Sequence, residues 1–228
     1  MDDLVDSDCQ SVILSDEDLL GKYHKFVDGR VYPDCINYLR RAKELLGWES
    51  MDVWICLRDY GDWLESCYLQ KLKGVGKFFS FESYCECVDF KFLSWISLLK
   101  EIVSLGFIDK VHVLFYEDFY KNNRLIYDLV EDALGVGWLD LKITGGKMNP
   151  SVSNVGYEVL ESLDGIEGED FKKVSKVLLR EFPSHQYGKP CLLTHAERSL
   201  LKERYYRDVD FIRNDLVVSD KKIVIRGA

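Results

Sequence analysis

The chain has 228 residues, of which 47% are hydrophobic and 30% are charged, and this balance is ordinary for a globular protein. The length is sufficient for one α/β domain with a sizeable core. The formal net charge of −9 argues against unspecific binding to nucleic acid or to an anionic membrane surface, but it leaves room for a local basic pocket that holds one small anion.

The cysteines predict a reducing compartment, with the cytoplasm as the default. Seven cysteines are scattered along the chain without a CxxC pair, which favours free thiols over a disulfide framework. Cys85 and Cys87 are separated by one residue and no second ligand pair follows, so we expect no metal site. The sequence also lacks an apolar run long enough to span a membrane and a signal peptide at its acidic N-terminus.

The first predicted elements lie between residues 11 and 74. The apolar run Ser11–Leu14 predicts a short strand that leads into a helix cap. A helix is predicted from Val31 to Gly47, because a proline stands near its start and a glycine at its end. Asp52–Leu57 predicts the next strand, and Asp62–Lys73 predicts a helix that Gly74 ends.

The middle of the chain alternates between helix and strand patterns. Ser80–Tyr84 fits a capped short helix, and Phe90–Leu105 fits a longer amphipathic helix. Lys110–Tyr116 is an almost wholly apolar strand, and Glu117–Leu134 predicts another helix. Near-continuous apolar strands separated by helices predict a parallel sheet with helices on both faces.

The last third is predicted to be a loop followed by helices. The loop covers Gly135–Val155, and the helices cover Val155–Leu163, Glu169–Phe182 and Thr194–Leu216, the last of which begins with the capping-box pattern Thr-His-Ala-Glu. The tail Asp220–Ala228 either frays or extends the sheet as an edge strand. No repeat or linker interrupts the chain, so we predict a single domain over residues 1–228.

Arg58 and Ser66 form the most informative pair in the sequence. Arg58 follows the predicted strand Asp52–Leu57, and Ser66 lies eight positions later in the next helix. Ligands bind at the carboxyl ends of strands in open α/β sheets, and a guanidinium with a nearby hydroxyl can hold an anion from two sides. The alternative interpretation is that Arg58 pairs with Asp59 or Asp62 while Ser66 only packs.

The surroundings of this pair resemble the sulfotransferases that use 3′-phosphoadenosine 5′-phosphosulfate (PAPS), especially the bacterial type. Residues 58–70 are similar to the family pattern R-[ND]-x-x-[DE]-W-x-x-S-x-Y-x-Q. Shorter similarities follow the family's order within residues 11–216 and leave 217–228 as a tail. They are S-x-E-x-L at 15–19, S-F-E-x-[FY] at 80–84, Y-E-D-[LF] at 116–119, N-x-S-x-S at 149–153, and the final helix at 205–212.

The resemblance implies a fold, a reaction and a set of binding residues. The fold is a P-loop-NTPase-like, three-layer α/β arrangement with a parallel sheet flanked by helices. The reaction is transfer of a sulfonate from PAPS to a hydroxyl of a small molecule or glycan. Arg58 and Ser66 correspond to the residues that bind the 3′-phosphate of the cofactor. The family's late loop, which closes over the nucleotide, corresponds to Lys147, Asn149, Ser151 and Ser153. An ordinary Asn/Ser turn is the alternative for that loop.

The family's first strand–loop–helix unit, which cradles the 5′-phosphosulfate, has no counterpart in this sequence. Only ten residues precede Ser11, whereas such a unit takes about thirty. Gly74–Lys77 contains glycines and a lysine but follows a helix, so we interpret it as a helix end. Three explanations stay open: the chain is a fragment, it is a non-catalytic nucleotide-binding or assembly protein, or a second copy or partner chain supplies the unit.

Sulfonate transfer requires a base that takes the proton of the acceptor hydroxyl. Glu17, directly after the predicted strand Ser11–Leu14, is the first candidate for this catalytic base, and His24 is the second. The alternative is that Glu17 only stabilises the start of a helix through the helix dipole. Glu117 and Asp118, which follow the third predicted strand, are interpreted as structural residues that orient the end of the sheet or cap the next helix.

Overall fold

The structure, a computed structural model, is of mixed α/β type, with a small parallel sheet of three strands flanked by helices. It describes residues 12–15, 19–21, 30–86, 88–90, 92–120, 124–135, 151–163, 165–216 and 222–226. Within these residues, no helix has both the length and the apolar character needed to cross a bilayer.

The described residues in the first part of the chain form four helices and one strand. In order they are α1 (Cys35–Leu46), β1 (Met51–Leu57), α2 (Tyr60–Val75), α3 (Phe81–Cys85) and α4 (Trp95–Val103). Local signals set several of their ends. Gly47 ends α1 with a left-handed backbone at φ 66°, and the Ser80 hydroxyl accepts a hydrogen bond from the Ser83 amide at the start of α3.

The second part contains the other two strands and the remaining helices. In order they are β2 (Ile108–Phe115), a 3₁₀ helix (Tyr116–Tyr120), α5 (Leu125–Leu134), α6 (Asn154–Ser162), α7 (Gly168–Glu181), α8 (Ser184–Tyr187), α9 (His195–Phe211), a π-helical turn (Ile212–Leu216) and β3 (Ile223–Ile225). The predicted capping box of α9 is present.

β2 is the central strand of the described sheet. It pairs in parallel with β1, where Leu57 is opposite Phe115, and with β3, where Ile225 is opposite Val113. The predicted parallel sheet is therefore confirmed. The C-terminal tail takes the second of its two predicted forms, because β3 is an edge strand.

The two faces of the sheet are covered unequally. β2 is buried continuously from Val111 to Phe115, as a strand with helices on both faces should be. One face belongs to the main core, and the other carries a small cluster in which Leu114 packs with Leu125 and Leu129 of α5. β1 alternates instead, with Val53, Ile55 and Leu57 buried and Cys56 exposed.

The predicted strand Ser11–Leu14 is wrong over the residues that the structure describes. Residues 12–15 have no regular secondary structure, and Val12, Ile13 and Leu14 are exposed. Three adjacent apolar side chains satisfy the local pattern of a strand. A strand also needs a neighbour to pair with its backbone groups, however, and the sequence pattern does not provide one.

Several predicted helices are shorter in the structure, among them the one predicted from Val31 to Gly47, which begins at Cys35. The helix expected over Phe90–Leu105 begins only at Trp95, because the Ser94 hydroxyl accepts a hydrogen bond from the Ser97 amide and caps α4 there. The helix expected over Glu117–Leu134 is divided into the 3₁₀ helix and α5. The glycine-lysine stretch is a helix end, as predicted, since α2 continues past Gly74 and ends at Gly76 with φ 77°.

Candidate functional site

A pocket of about 280 Å³ lies beside the carboxyl end of β1. Its walls come from separate parts of the chain: the end of β1, the first turns of α2, the residue range before α6, and the segment that leads into α9. The polar residues that line it include Arg58, Ser66, Ser151, Lys189, Cys191 and Arg198. The structure thus brings three of the predicted binding residues, Arg58, Ser66 and Ser151, together around one cavity.

The side chain of Arg58 lacks the partners that the alternative interpretation requires. Asp59 accepts hydrogen bonds from the amides of Gly61 and Asp62, and the Asp62 carboxylate bonds to Arg198. The Arg58 Nε is buried and has no hydrogen-bond partner among the described residues. Its guanidinium carbon lies 4.5 Å from the centroid of the Tyr116 ring. The contact with the ring holds the guanidinium in place without using an N–H donor.

The backbone around Arg58 is fixed by one residue of α4 and one residue of the 3₁₀ helix that follows β2. The Trp95 indole donates to the Arg58 carbonyl at 2.9 Å, and the Asp59 amide donates to Glu117 Oε1 at 3.1 Å. The Asp59 carboxylate caps α2 by accepting from the Gly61 amide at 2.9 Å, while burial raises the pKa of that carboxyl. The turn after β1 therefore has a defined shape without any bond to the Arg58 guanidinium.

Glu117 has the structural role that the sequence indicated for it. Its Oε1 accepts from the Asp59 amide, and its Oε2 accepts from the Tyr205 hydroxyl at 2.6 Å. The carboxylate therefore joins the ends of β1 and β2 to α9. Its neighbour Asp118 is buried and pairs with Arg213 at 3.4 Å.

Glu65 organises one wall of the pocket, and the sequence interpretation missed it. Its Oε1 accepts hydrogen bonds from the amides of Leu192 and Leu193 at 2.8 and 3.0 Å. One sequence signal could have identified it: Glu65 stands four and seven positions before the buried Leu69 and Leu72, on the apolar face of α2. A carboxylate on a buried face requires partners of this kind.

Arg198 completes the same wall and was also missed. Its Nη1 lies 3.0 Å from Asp62 Oδ1, and its Nη2 lies 2.6 Å from Glu65 Oε1. Nη2 also contacts the Cys191 sulfur at 3.5 Å. No local pattern connects Arg198 with α2, because the contact depends on the packing of α9 against α2.

The charge in the pocket differs in sign from that of the whole chain. Among the described residues that line it, Arg58, Lys189 and Arg198 are cationic, and Asp62 and Glu65 are anionic. The balance is one positive charge in a chain whose formal net charge is −9. An anionic group is therefore favoured locally in this pocket.

The other predicted site residues do not join this cavity. Ser153 is buried as the N-cap of α6, where its hydroxyl accepts from the Gly156 amide at 3.0 Å, and it is not among the residues that line the pocket. The remaining candidates lie outside the described residues and stay predictions: they are Glu17, His24, Lys147 and Asn149.

A larger open cavity of about 1070 Å³ contains none of the predicted residues. Val31, Phe90 and Leu98 contribute to its lining, together with Arg30 and Glu101, which pair with each other at 3.8 Å. The smaller pocket therefore remains the candidate site, because it holds the arginine whose buried nitrogen lacks a partner within the described part of the chain.

Comparisons with protein-family models, curated proteins and solved structures find no match to this chain. Within the described part of the chain, no group of three His, Cys, Asp or Glu side chains is arranged to hold a metal ion. The geometry and charge of the pocket are therefore the basis for assigning a function.

Proposed function

We propose that the pocket binds the 3′-phosphate of PAPS and of its product, adenosine 3′,5′-bisphosphate, and that the protein is a PAPS-dependent sulfotransferase. The observation that carries this proposal is the convergence of Arg58, Ser66 and Ser151 on one cavity, with the Arg58 Nε buried and unpartnered among the described residues.

The chemistry of these groups suits a phosphate. A guanidinium offers a planar set of N–H donors that matches two phosphate oxygens, and serine hydroxyls add further donors. The cavity volume of about 280 Å³ is close to the lower end of the usual range for ligand pockets, roughly 300 Å³. This size supports the binding of one end of a nucleotide rather than the burial of all of it.

The proposal includes the finer features that the sequence predicted. These are a P-loop-NTPase-like arrangement of the parallel sheet, an acceptor molecule that carries a hydroxyl, and assembly with a second copy or a partner chain. A cytoplasmic location is also part of the proposal. The described cysteines support it because all are free thiols: Cys35, Cys56, Cys67, Cys85 and Cys191.

A second candidate is a non-catalytic protein that binds the same nucleotide. It is favoured by the strand-to-helix junctions of the described residues. The turn after β1 consists of Arg58 and Asp59, and β2 continues directly into a 3₁₀ helix, so neither junction has the glycine-rich turn that cradles a phosphosulfate. The glycines at the end of α2 do not form such a turn, because Gly76 is the C-cap of that helix.

Calorimetric titration with adenosine 3′,5′-bisphosphate tests the binding that both candidates share. We expect micromolar affinity for the unaltered protein and a loss of about 2 kcal/mol for Arg58→Gln, because a charge-assisted contact disappears. Arg180→Gln is the matched control, since Arg180 is an exposed arginine of α7 paired with Glu181. Absence of binding by folded protein, or an equal loss in both variants, would contradict the proposal.

Turnover separates the two candidates. Incubation with labelled PAPS and a panel of sugar, lipid-headgroup and small alcohols gives a labelled sulfate ester if the protein is a sulfotransferase. Nucleotide binding without any labelled product supports the non-catalytic candidate instead.

A further inference from the structure

We infer that Arg198 is a second anion-binding residue of the pocket, and that it binds the ligand by exchanging its contact with Asp62 for a contact with the ligand's phosphate. This inference rests on the proposed role of the pocket in binding an anionic group. In this inference Asp62 competes with the ligand for Arg198 and thereby lowers the affinity of the pocket for the ligand.

The two carboxylates that hold Arg198 differ in their exposure. The Asp62 side chain is 51% exposed, whereas that of Glu65 is 10% exposed. An ion pair between solvent-exposed side chains contributes little to stability. The contact between Arg198 Nη1 and Asp62 is therefore the weaker of the two, and its opening returns the Asp62 carboxylate to water.

Glu65 keeps Arg198 in place when that contact opens. Its Oε1 binds Arg198 Nη2 at 2.6 Å and also accepts from the amides of Leu192 and Leu193. A carboxylate with these three donors cannot move without leaving the part-buried Leu192 amide and the buried Leu193 amide unpaired. The guanidinium consequently stays at the wall of the pocket, and only its Nη1 group changes partner.

The exchange favours a ligand with two negative charges. Arg58 and Arg198 both line the cavity of about 280 Å³, and a doubly ionised phosphate that contacted both would gain two charge-assisted interactions. Such a group replaces the Asp62 carboxylate at Nη1 with phosphate oxygens. A singly charged carboxylate ligand gains less, because it offers Arg198 the same chemistry that Asp62 already provides.

A double-mutant cycle with adenosine 3′,5′-bisphosphate tests the exchange by calorimetry. We expect Asp62→Asn to tighten binding about fivefold, because it removes the competing carboxylate. Arg198→Gln should weaken binding roughly tenfold, because it removes a charged donor. In the double variant the gain from Asp62→Asn should disappear, since that gain requires Arg198. Asp170→Asn is the matched control: Asp170 is an exposed α7 residue paired with Lys173, and its loss changes net charge equally.

The outcomes distinguish this inference from the proposed function. If the protein binds the nucleotide and Arg58→Gln weakens binding, but Asp62→Asn gives no more than the Asp170→Asn control, the exchange is overturned and the proposed function stands. A gain that persists in the double variant also overturns it, because Asp62 would then act only through its field. If neither the unaltered protein nor Asp62→Asn binds, both proposals fail. Should Arg198→Gln not fold, Arg198→Lys takes its place in the cycle, because lysine keeps the charge but loses the two-pronged guanidinium; a gain from Asp62→Asn that is undiminished beside Arg198→Lys then overturns the exchange.

Discussion

Arg58 is held in position by groups that leave its hydrogen-bonding capacity unused. Its carbonyl accepts from the Trp95 indole, its guanidinium lies over Tyr116, and its Nε has no partner among the described residues. A buried donor without an acceptor is costly, of the order of 1–3 kcal/mol. On the function proposed above, an anion that bonded to this nitrogen would offset that cost and so gain affinity.

Cys191 offers a direct measure of whether the pocket is occupied. It is exposed and lines the pocket, whereas Cys35 and Cys67 are buried. Burial raises the pKa of the Cys35 thiol to about 12, and it also raises the pKa of the Cys67 thiol. Because the thiolate is the reactive form, iodoacetamide at about pH 8 should modify Cys191 well before the two buried thiols. Adenosine 3′,5′-bisphosphate should slow the modification of Cys191, as measured by peptide mass spectrometry.

The control for this protection is Arg58→Gln, in which the nucleotide should no longer slow the reaction. Protection that is unchanged in this variant would show that the nucleotide covers Cys191 from a different site. Modification of Cys35 or Cys67 at the rate of Cys191 would contradict the burial of these thiols.

At the scale of elements, α9 joins the ends of the strands to α2. Tyr205 bonds to Glu117 at the end of β2, and Asp208 accepts from the Tyr60 hydroxyl of α2 at 2.5 Å. The same Tyr60 oxygen accepts from the Trp95 amide at 2.7 Å, so α4 is included. A substitution that disturbs the start of α9 should therefore lower the free energy of unfolding and also displace Arg198 in the pocket wall.

The capping box at the start of α9 provides a prediction at this scale. Glu197 accepts from the amide and hydroxyl of Thr194, and these bonds hold the pKa of Glu197 below its usual value. We expect Thr194→Ala to lower the free energy of unfolding by about 1 kcal/mol near neutral pH in urea denaturation.

The pH dependence of this effect has a defined sign. A carboxyl whose pKa is lowered by folding stabilises the protein above its unfolded pKa, about 4.3, and this contribution disappears as the pH falls through the folded pKa. The difference between the unaltered protein and Thr194→Ala should thus narrow below about pH 4. Ser199→Ala, in the same helix and away from the cap, is the control. A difference in the free energy of unfolding between the unaltered protein and Thr194→Ala that grew as the pH fell would contradict the role of Glu197.

The elements that could be predicted from sequence are those whose ends carry local signals. Gly47, Ser80 and Thr194 each mark a helix end through their own backbone or side chain, and the structure has those ends. Ser11–Leu14 has only an apolar pattern, and residues 12–15 are not a strand. The start of α4 was missed because several polar residues precede it and only tertiary packing selects Ser94 as the cap.

The same distinction holds for the candidate site. Arg58 and Ser66 could be identified because one strand–turn–helix unit carries both. Glu65 and Arg198 escaped sequence reasoning because they are 133 positions apart and meet only when α9 packs on α2. Pairs of that kind are specified by the whole fold rather than by a local pattern.

At the scale of the whole molecule, β3 adds an edge strand to the sheet that the described residues form. Ile223 is buried against β2, and the Arg226 amide donates to the Val113 carbonyl at 2.9 Å. The Arg226 side chain also reaches His112 and Asp132, which connects β3 to α5. A short strand near the end of the sequence thereby contributes to a core built from the middle of the chain.

Ile223→Ala should therefore be strongly destabilising. We expect the free energy of unfolding to fall by about 2–4 kcal/mol, because the substitution removes buried carbons and leaves a cavity beside β2. Leu45→Ala removes a side chain of similar size from a largely exposed position in α1 and should change stability by less than about 0.5 kcal/mol. Equal effects in chemical denaturation would show that β3 does not contribute to the core.

The pocket's dependence on α9 also determines when it can form during translation. A ribosome produces Arg58 and Ser66 early, but Arg198 emerges 132 residues after Ser66, a delay on the order of ten seconds at typical elongation rates. Until then a nascent chain has the first half of the anion site without the wall that Glu65 and Arg198 build together. On the function proposed above, ligand binding would stabilise the finished protein rather than the early chain on the ribosome.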